Sequence, residues 1–296
     1  AIALSRNLGH PPFGYAGQEA LNYCMQNYGG FDHHLQSLRI IDELEERYPT
    51  FRGLNLTFET REGILEKCTA KQAKTLGQVA ARFFNDPPSP PSLEAQITHL
   101  CDEIVYNQHD IEDGLHAKLI SIRQLREFRL FDEHYSEVIK HHPNLSQRRI
   151  IYETIRRIVD EQITNVIETS HAQLDALHPS NIEKIRMAEE ELITFSALMF
   201  QKHLELRQFL KTQLYNHYRI QRMAFKAQYM IRRLFEVFMN EVRLLPLDAQ
   251  LEVRRLQGTL GADAGKARAI SDYIADMPDR YAIEEYERLF NPTHSL

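Results

Sequence analysis

The sequence has no tryptophan and only 12 glycines in 296 residues. Glycine is about half as frequent as in ordinary globular chains. Few glycines and many Leu, Ile, Arg, Glu and Gln exclude a turn-rich β architecture and favour helices. Only three cysteines occur, Cys24, Cys68 and Cys101. They are odd in number, far apart and form no CxxC pair. A disulfide framework and a cysteine zinc site therefore find no support, and the cytoplasm is the expected compartment. No apolar run approaches the ~18 residues that a spanning helix needs. No signal peptide is recognisable. The net charge of −6 excludes a globally basic nucleic-acid binder, although local basic patches remain open. There is also no Met at position 1, and the chain opens inside the apolar run Ala1-Ile2-Ala3-Leu4. It reads as cut rather than started, with an N-terminal portion missing.

What is present is helical periodicity. Apolar residues make up 43 % of the chain and charged residues 26 %, ordinary proportions for a globular protein. Leu35, Leu38, Ile41 and Leu44 recur at helical spacing. Ile151, Ile155, Ile158, Ile163 and Val166 form a stripe on a long helix starting after Ser146, a candidate N-cap. Residues 182 to 242 read as two long helices, with Leu204, Phe209, Leu214, Phe225, Ile231 and Phe235 facing inward. These stripes are core-packing signals. Leu54–Phe58 is the one strand candidate, at most a minor β-hairpin. Four prolines between Pro87 and Pro91 predict an extended connector. The expected architecture is all-α, with a core over 1–140 and a helical C-terminal part over 141–296 packed on it.

Three segments could carry chemistry. Leu8–Gln18 sets two prolines and several glycines around His10, a rigid turn leading into a helix near Ala16. Such a turn either fixes an imidazole in a site or simply caps the helix. On the second segment, Asp102, Tyr106 and Asp110 share a helix face at i, i+4, i+8. Its apolar neighbours predict half burial, where carboxylates require a cation or donors. A metal ligand followed by a sugar- or phosphate-reading surface fits, and so does a solvated polar face. The third segment carries His33 and His34. Adjacent residues do not share a helix face, so at most one of them is expected at any site.

Taken together, the motifs GHPPFG-x-AG-x-x-ALN, GGF-x-H-x-x-QSLRI, RYP-x-F-x-GLNLT-x-E, SLEAQI with DEI-x-YN-x-HD, and the closing Ser271–Ala282 stretch resemble the dGTP triphosphohydrolase family of HD-domain proteins. The resemblance runs from Ala1 to about Phe290. It implies an all-α HD fold that hydrolyses a dNTP, especially dGTP, to deoxynucleoside and triphosphate. It implies a divalent metal, Mg or Mn, held by His…His-Asp…Asp. It also implies hexamers or tetramers and, in some members, single-stranded DNA binding. No membrane partner is implied.

Carried over by position, the resemblance places Asp102 as the last metal ligand. Tyr106 and Asp110 fall where relatives read sugar and phosphates, and Arg148 and Arg149 where they place basic phosphate contacts. His10 and His33 keep catalytic positions. Arg6-Asn7 stand where the family has the His-Asp pair. Tyr15 replaces a histidine. Gln18 replaces the glutamate that helps orient the attacking water, and Glu19 points about 100° away round the helix. Arginine has five donors and no acceptor, and its fixed charge repels a cation. Asparagine loses the aspartate charge, and glutamine is not a base. Of four ligand positions only Asp102 remains, so metal binding is expected to be weak or absent and turnover impaired. Four changes exceed what inactivation needs, which favours natural divergence over deliberate replacement. An alternative is a noncatalytic subunit that binds nucleotide or single-stranded DNA and modulates an active homologue, with Arg6 approaching Asp102 in place of the metal. A third reading is a structural relic.

Overall fold

A computed structural model describes residues 1–65 and 90–293. Cys68 and most of the proline-rich connector lie outside the described residues. Fourteen α-helices and no strand occur among the described residues, so the chain is all-α. No described helix is long and apolar enough to cross a membrane.

The chain divides into two compact units, Ala1–Pro88 with Arg222–Leu296, and Ser89–Gln221. In the first unit, α1 (Ile2–Ser5), α2 (Tyr15–Cys24), α3 (His33–Arg39) and α4 (Phe58–Leu65) precede the return of the chain at Arg222, near the start of α11 (Tyr218–Asn240). The helices α12 (Leu247–Leu260), α13 (Ala262–Ala275) and α14 (Asp279–Phe290) complete it. Its main core joins Leu21, Met25 and Phe31 to Ile231, Phe238, Leu256 and Ile270. A smaller core packs Leu35, Leu38 and Ile41 against Ile64 and Leu65. Gly265 lets α12 and α13 meet closely, because a Cβ there would lie 2.3 Å from Leu256 backbone atoms.

The second unit is built on α5 (Leu93–His116), α7 (Arg129–His141), α8 (Gln147–Leu177) and α10 (Ala197–Leu210), with the short α6 (Ile122–Leu125) and α9 (Ile182–Arg186). Its core centres on Ile111, Leu125, Phe131, Ile158 and Leu206. Ser92 caps α5, its hydroxyl accepting from the Ala95 N–H. Gln96 fixes the approach to α10: its carbonyl oxygen accepts the N–H groups of Leu192 and Ile193 at 2.9 and 3.1 Å.

Several expectations need correcting. Leu54–Thr57 has no strand partner, and Phe58 opens α4. The Thr57 hydroxyl accepts from the Thr60 N–H at 3.4 Å and its carbonyl from Arg61, an N-cap arrangement that outweighs a five-residue alternation. Residues 182–242 form three helices rather than two. Leu204 and Phe225 are 46 % and 71 % exposed, whereas Leu214, Ile231 and Phe235 are buried. Ile163 is exposed on α8, which does start after Ser146, while Ile155 and Ile158 are buried. A 31-residue helix drifts through several faces, so one stripe cannot stay inward along all of it.

Candidate functional site

The first unit gathers His10, Tyr15, Gln18 and His33. The turn before α2 owes its shape to residues that no others replace easily. Pro11 and Pro12 fix φ and carry no N–H. Phe13 takes a left-handed φ of +66° and Gly14 one of +57°. For a side chain as large as phenylalanine that conformation costs about 1–2 kcal/mol. Gly17 is required because a Cβ there would lie 1.9 Å from the Pro12 carbonyl oxygen. At the other end, a Cβ on Gly9 would lie 2.3 Å from the His33 carbonyl oxygen and the Ser37 nitrogen. The Gly9 N–H donates to the Ser37 hydroxyl at 2.8 Å, and that hydroxyl donates to the Arg6 carbonyl at 2.8 Å. The turn is thereby pressed against α3.

Helix α3 begins at the site. The Asp32 carboxylate caps it, accepting from the N–H groups of His34 and Leu35 at 3.0 and 3.2 Å. The amide oxygen of Gln18 accepts the His33 backbone N–H at 3.1 Å and pairs with the imidazole Nδ1. With an amide oxygen as partner, Nδ1 carries the proton and Nε2 is the acceptor face. The His10 and His33 rings stack at 4.0 Å, and Tyr15 meets both edge-on at 5.5 and 5.9 Å. His34 also joins: its ring centroid lies 3.9 Å from that of His33. The expectation that only one of these histidines could reach the site fails. Both sit in the first helical turn, where the rings lean together.

Burial dominates the electrostatics. Desolvation, followed by the neighbouring His34 and His10, pushes the His33 imidazole down to about 3. Burial lowers His10 as well, against the opposing pull of Asp32. These imidazoles are neutral at pH 7. The fixed cation close by is Arg6, which is 4 % exposed and whose charge further disfavours protonated His33. Asn7 is exposed. Glu19 is turned away from the rings, accepting from the Gln228 amide at 2.7 Å.

The donor set at Arg6-Asn7 does not fit a divalent metal. A guanidinium offers no lone pair, and an amide offers no charge. Among the described residues, no three His, Cys, Asp or Glu side chains converge to hold an ion.

The other sequence candidates lie in the second unit. Asp102, Tyr106 and Asp110 follow one another along α5. Asp102 and Asp110 are half-buried and Tyr106 is exposed. Asp110 accepts from the Tyr215 hydroxyl at 2.8 Å. Burial raises the Asp110 carboxyl, against that hydrogen bond. Arg148 lies over the Tyr152 ring at 5.5 Å and donates to its hydroxyl at 3.4 Å, while Arg149 is exposed.

Sequence reasoning missed two buried polar clusters. In the first unit Asp272 of α13 accepts from the Gln36 amide and from two nitrogens of Arg39, both on α3. In the second, His203 is buried among Asn107, Gln162 and the Phe195 ring. Both join residues far apart in sequence. Only Asp272 carried a signal, as an acid inside the closing motif.

Comparison with known proteins adds the following. Residues 193–288 match the model of the phosphohydrolase-associated domain. A protein of Bordetella pertussis named deoxyguanosinetriphosphate triphosphohydrolase-like protein is 49 % identical over 294 residues, covering 98 % of this chain and 73 % of the relative. Proteins of the same name from Thiobacillus denitrificans and Nitrosomonas europaea are 46 % and 44 % identical, covering 98 % and 100 % of this chain and 74 % and 76 % of their own lengths.

Proposed function

The chain belongs to the deoxyguanosine-triphosphate triphosphohydrolase-like family, and from that premise we propose that it binds a deoxynucleoside triphosphate, dGTP foremost, with its own hydrolytic turnover impaired. The observation that carries this reading is the Gln18–His33 pair. A carboxylate at residue 18 would take up a proton and raise the imidazole's basicity. The Gln18 amide does neither. It holds His33 in one neutral tautomer and supplies no base for water.

In the family a divalent metal is the group that would polarise water. Arg6 and Asn7 do not suit it. Buried Arg6 supplies a permanent positive charge beside neutral imidazoles, which suits a polyphosphate anion better than a cation. The family resemblance supports a role for Tyr106 and Asp110 of the second unit in reading sugar and phosphates, and for Arg148 and Arg149 in phosphate contact. Asp102 is the remaining acidic position of the metal set.

Arg6 also favours a second reading, a regulatory subunit that retains nucleotide or single-stranded DNA and modulates an active homologue within a hexamer or tetramer. A cytoplasmic location fits both.

Thermal unfolding with each of the four dNTPs separates binding from relic. A ligand of the native state at 100 times its Kd stabilises by about 2.7 kcal/mol. The proposal expects a rise in melting temperature with dGTP and no release of triphosphate in the presence of Mn²⁺. Absence of any rise at millimolar nucleotide rejects binding. Release of triphosphate at an enzyme's rate rejects impairment.

A further inference from the structure

Two motifs at opposite ends of the chain meet at Asp279. The carboxylate Oδ1 of Asp279, first residue of α14, accepts the backbone N–H of Phe13 at 2.9 Å. The two residues are 266 positions apart and belong to the same unit. The bond falls where the turn has least support of its own. Pro11 and Pro12 have no N–H, and Phe13 holds an unfavourable left-handed φ. Inside the turn, His10 donates to the Asn7 carbonyl and Gly14 to the Pro11 carbonyl, both at 3.2 Å. The Phe13 N–H reaches outside the turn to α14, as the Gly9 N–H does to Ser37 of α3, and the Phe13 ring packs on the core to which α13 and α14 contribute. From this anchor the chain runs back three residues to His10 and forward to Tyr15 and Gln18. All three contact His33.

We propose that Asp279 is the positioning residue of the candidate site: its carboxylate oxygen pins Phe13 in the left-handed conformation and so sets His10 and Tyr15 against His33. It touches none of the rings. It acts through the backbone of the turn. The proposal deepens the nucleotide-binding reading and rests on it only for the affinity measurement.

The acceptor matters here, and the negative charge does not. Asp279→Asn keeps an oxygen at that place and Asp279→Ala removes it. The test compares both variants with the parent by histidine ring NMR and by equilibrium dialysis with dGTP. His10 and His33 sit in each other's ring currents, so their resonances report the stack directly, whether or not nucleotide binds. The expected result is displaced His10 and His33 resonances in Asp279→Ala and parent-like ones in Asp279→Asn. Affinity for dGTP should fall on the order of tenfold in the alanine variant only, about 1.4 kcal/mol. Resonances unchanged in both variants, or displaced equally in both, overturn the proposal. A parent that binds no dGTP overturns the nucleotide reading, while the ring resonances still decide the role of Asp279.

Discussion

Replacing Asp272 by alanine should damage the scaffold behind the site. The carboxylate receives the Gln36 amide at 3.1 Å and Arg39 through Nε at 3.3 Å and through a terminal nitrogen at 2.5 Å. Both charged side chains are almost fully buried. Asp272 holds the Arg39 guanidinium above its ordinary value despite desolvation, and it opposes the desolvation of Arg268. Breaking such a pair from one side costs about 3–5 kcal/mol, because the abandoned charge stays buried. Glu43 also binds Arg39, at 3.0 Å, and is partly exposed. It leaves the guanidinium with a bonded anion, Glu252 adding to it through space, and moves the expected cost to about 3 kcal/mol, the low end of that range. At roughly 2–4 °C per kcal/mol for a chain of this order, the melting temperature should drop by about 6–12 °C. Thermal unfolding followed by circular dichroism reads that drop, and urea unfolding gives the free-energy cost. Asp272→Asn keeps one acceptor and should lose less. Pairing Arg39→Met with Asp272→Leu removes both charges and should recover much of the loss. A cost below about 1 kcal/mol for Asp272→Ala, or no recovery in the double variant, refutes the reasoning.

Three further outcomes follow from the geometry. Gly9→Ala forces a Cβ against backbone atoms of α3 at 2.3 Å and should destabilise by a few kcal/mol, about the upper range of single substitutions, read by thermal unfolding. Gln18→Glu places a negative charge against His33 and should raise its titration midpoint by about 1–3 pH units in a histidine NMR titration, without restoring triphosphate release because Arg6 and Asn7 remain. The third concerns pH. His203 is lowered by burial, with Glu103 of α5 opposing and Arg207 of α10 assisting, and its Nδ1 accepts from the Gln162 amide at 2.8 Å. The unfolded chain therefore binds the extra proton first. Stability from His203 is complete above its unfolded pKa of about 6.5 and is lost as pH falls towards the lower folded value, by up to about 1.4 kcal/mol per pH unit. Urea midpoints at pH 7.5 and 5.5 should differ less in His203→Gln than in the parent.

Local signals in the sequence carried the helices well. The stripe through Ile155 and Ile158, and Ser146 at the start of α8, were legible because periodicity and helix starts are short-range features. Leu54–Phe58 misled because five alternating residues say little beside a threonine placed to cap a helix. Leu204 and Phe225 misled because an apolar residue at helical spacing does not reveal which side its neighbours occupy. The site itself was legible only in part. The segments carrying His10 and His33 stood out by local composition, Tyr15 and Gln18 only through motif resemblance, and the structure brings those four together. A helix-face argument allowed at most one of His33 and His34 at any site, and it fails in a first turn, where the two rings lie 3.9 Å apart. The Asp272–Arg39 and Asp279–Phe13 bonds span more than 200 residues, and no spacing rule reaches that far.

The most direct test of the central claim is a single-turnover incubation of the protein, in excess over labelled dGTP with Mn²⁺, followed for intact triphosphate and deoxyguanosine while bound nucleotide is measured in the same sample. The account predicts that dGTP stays protein-bound and unhydrolysed. Conversion of the bound dGTP to deoxyguanosine and triphosphate would contradict it.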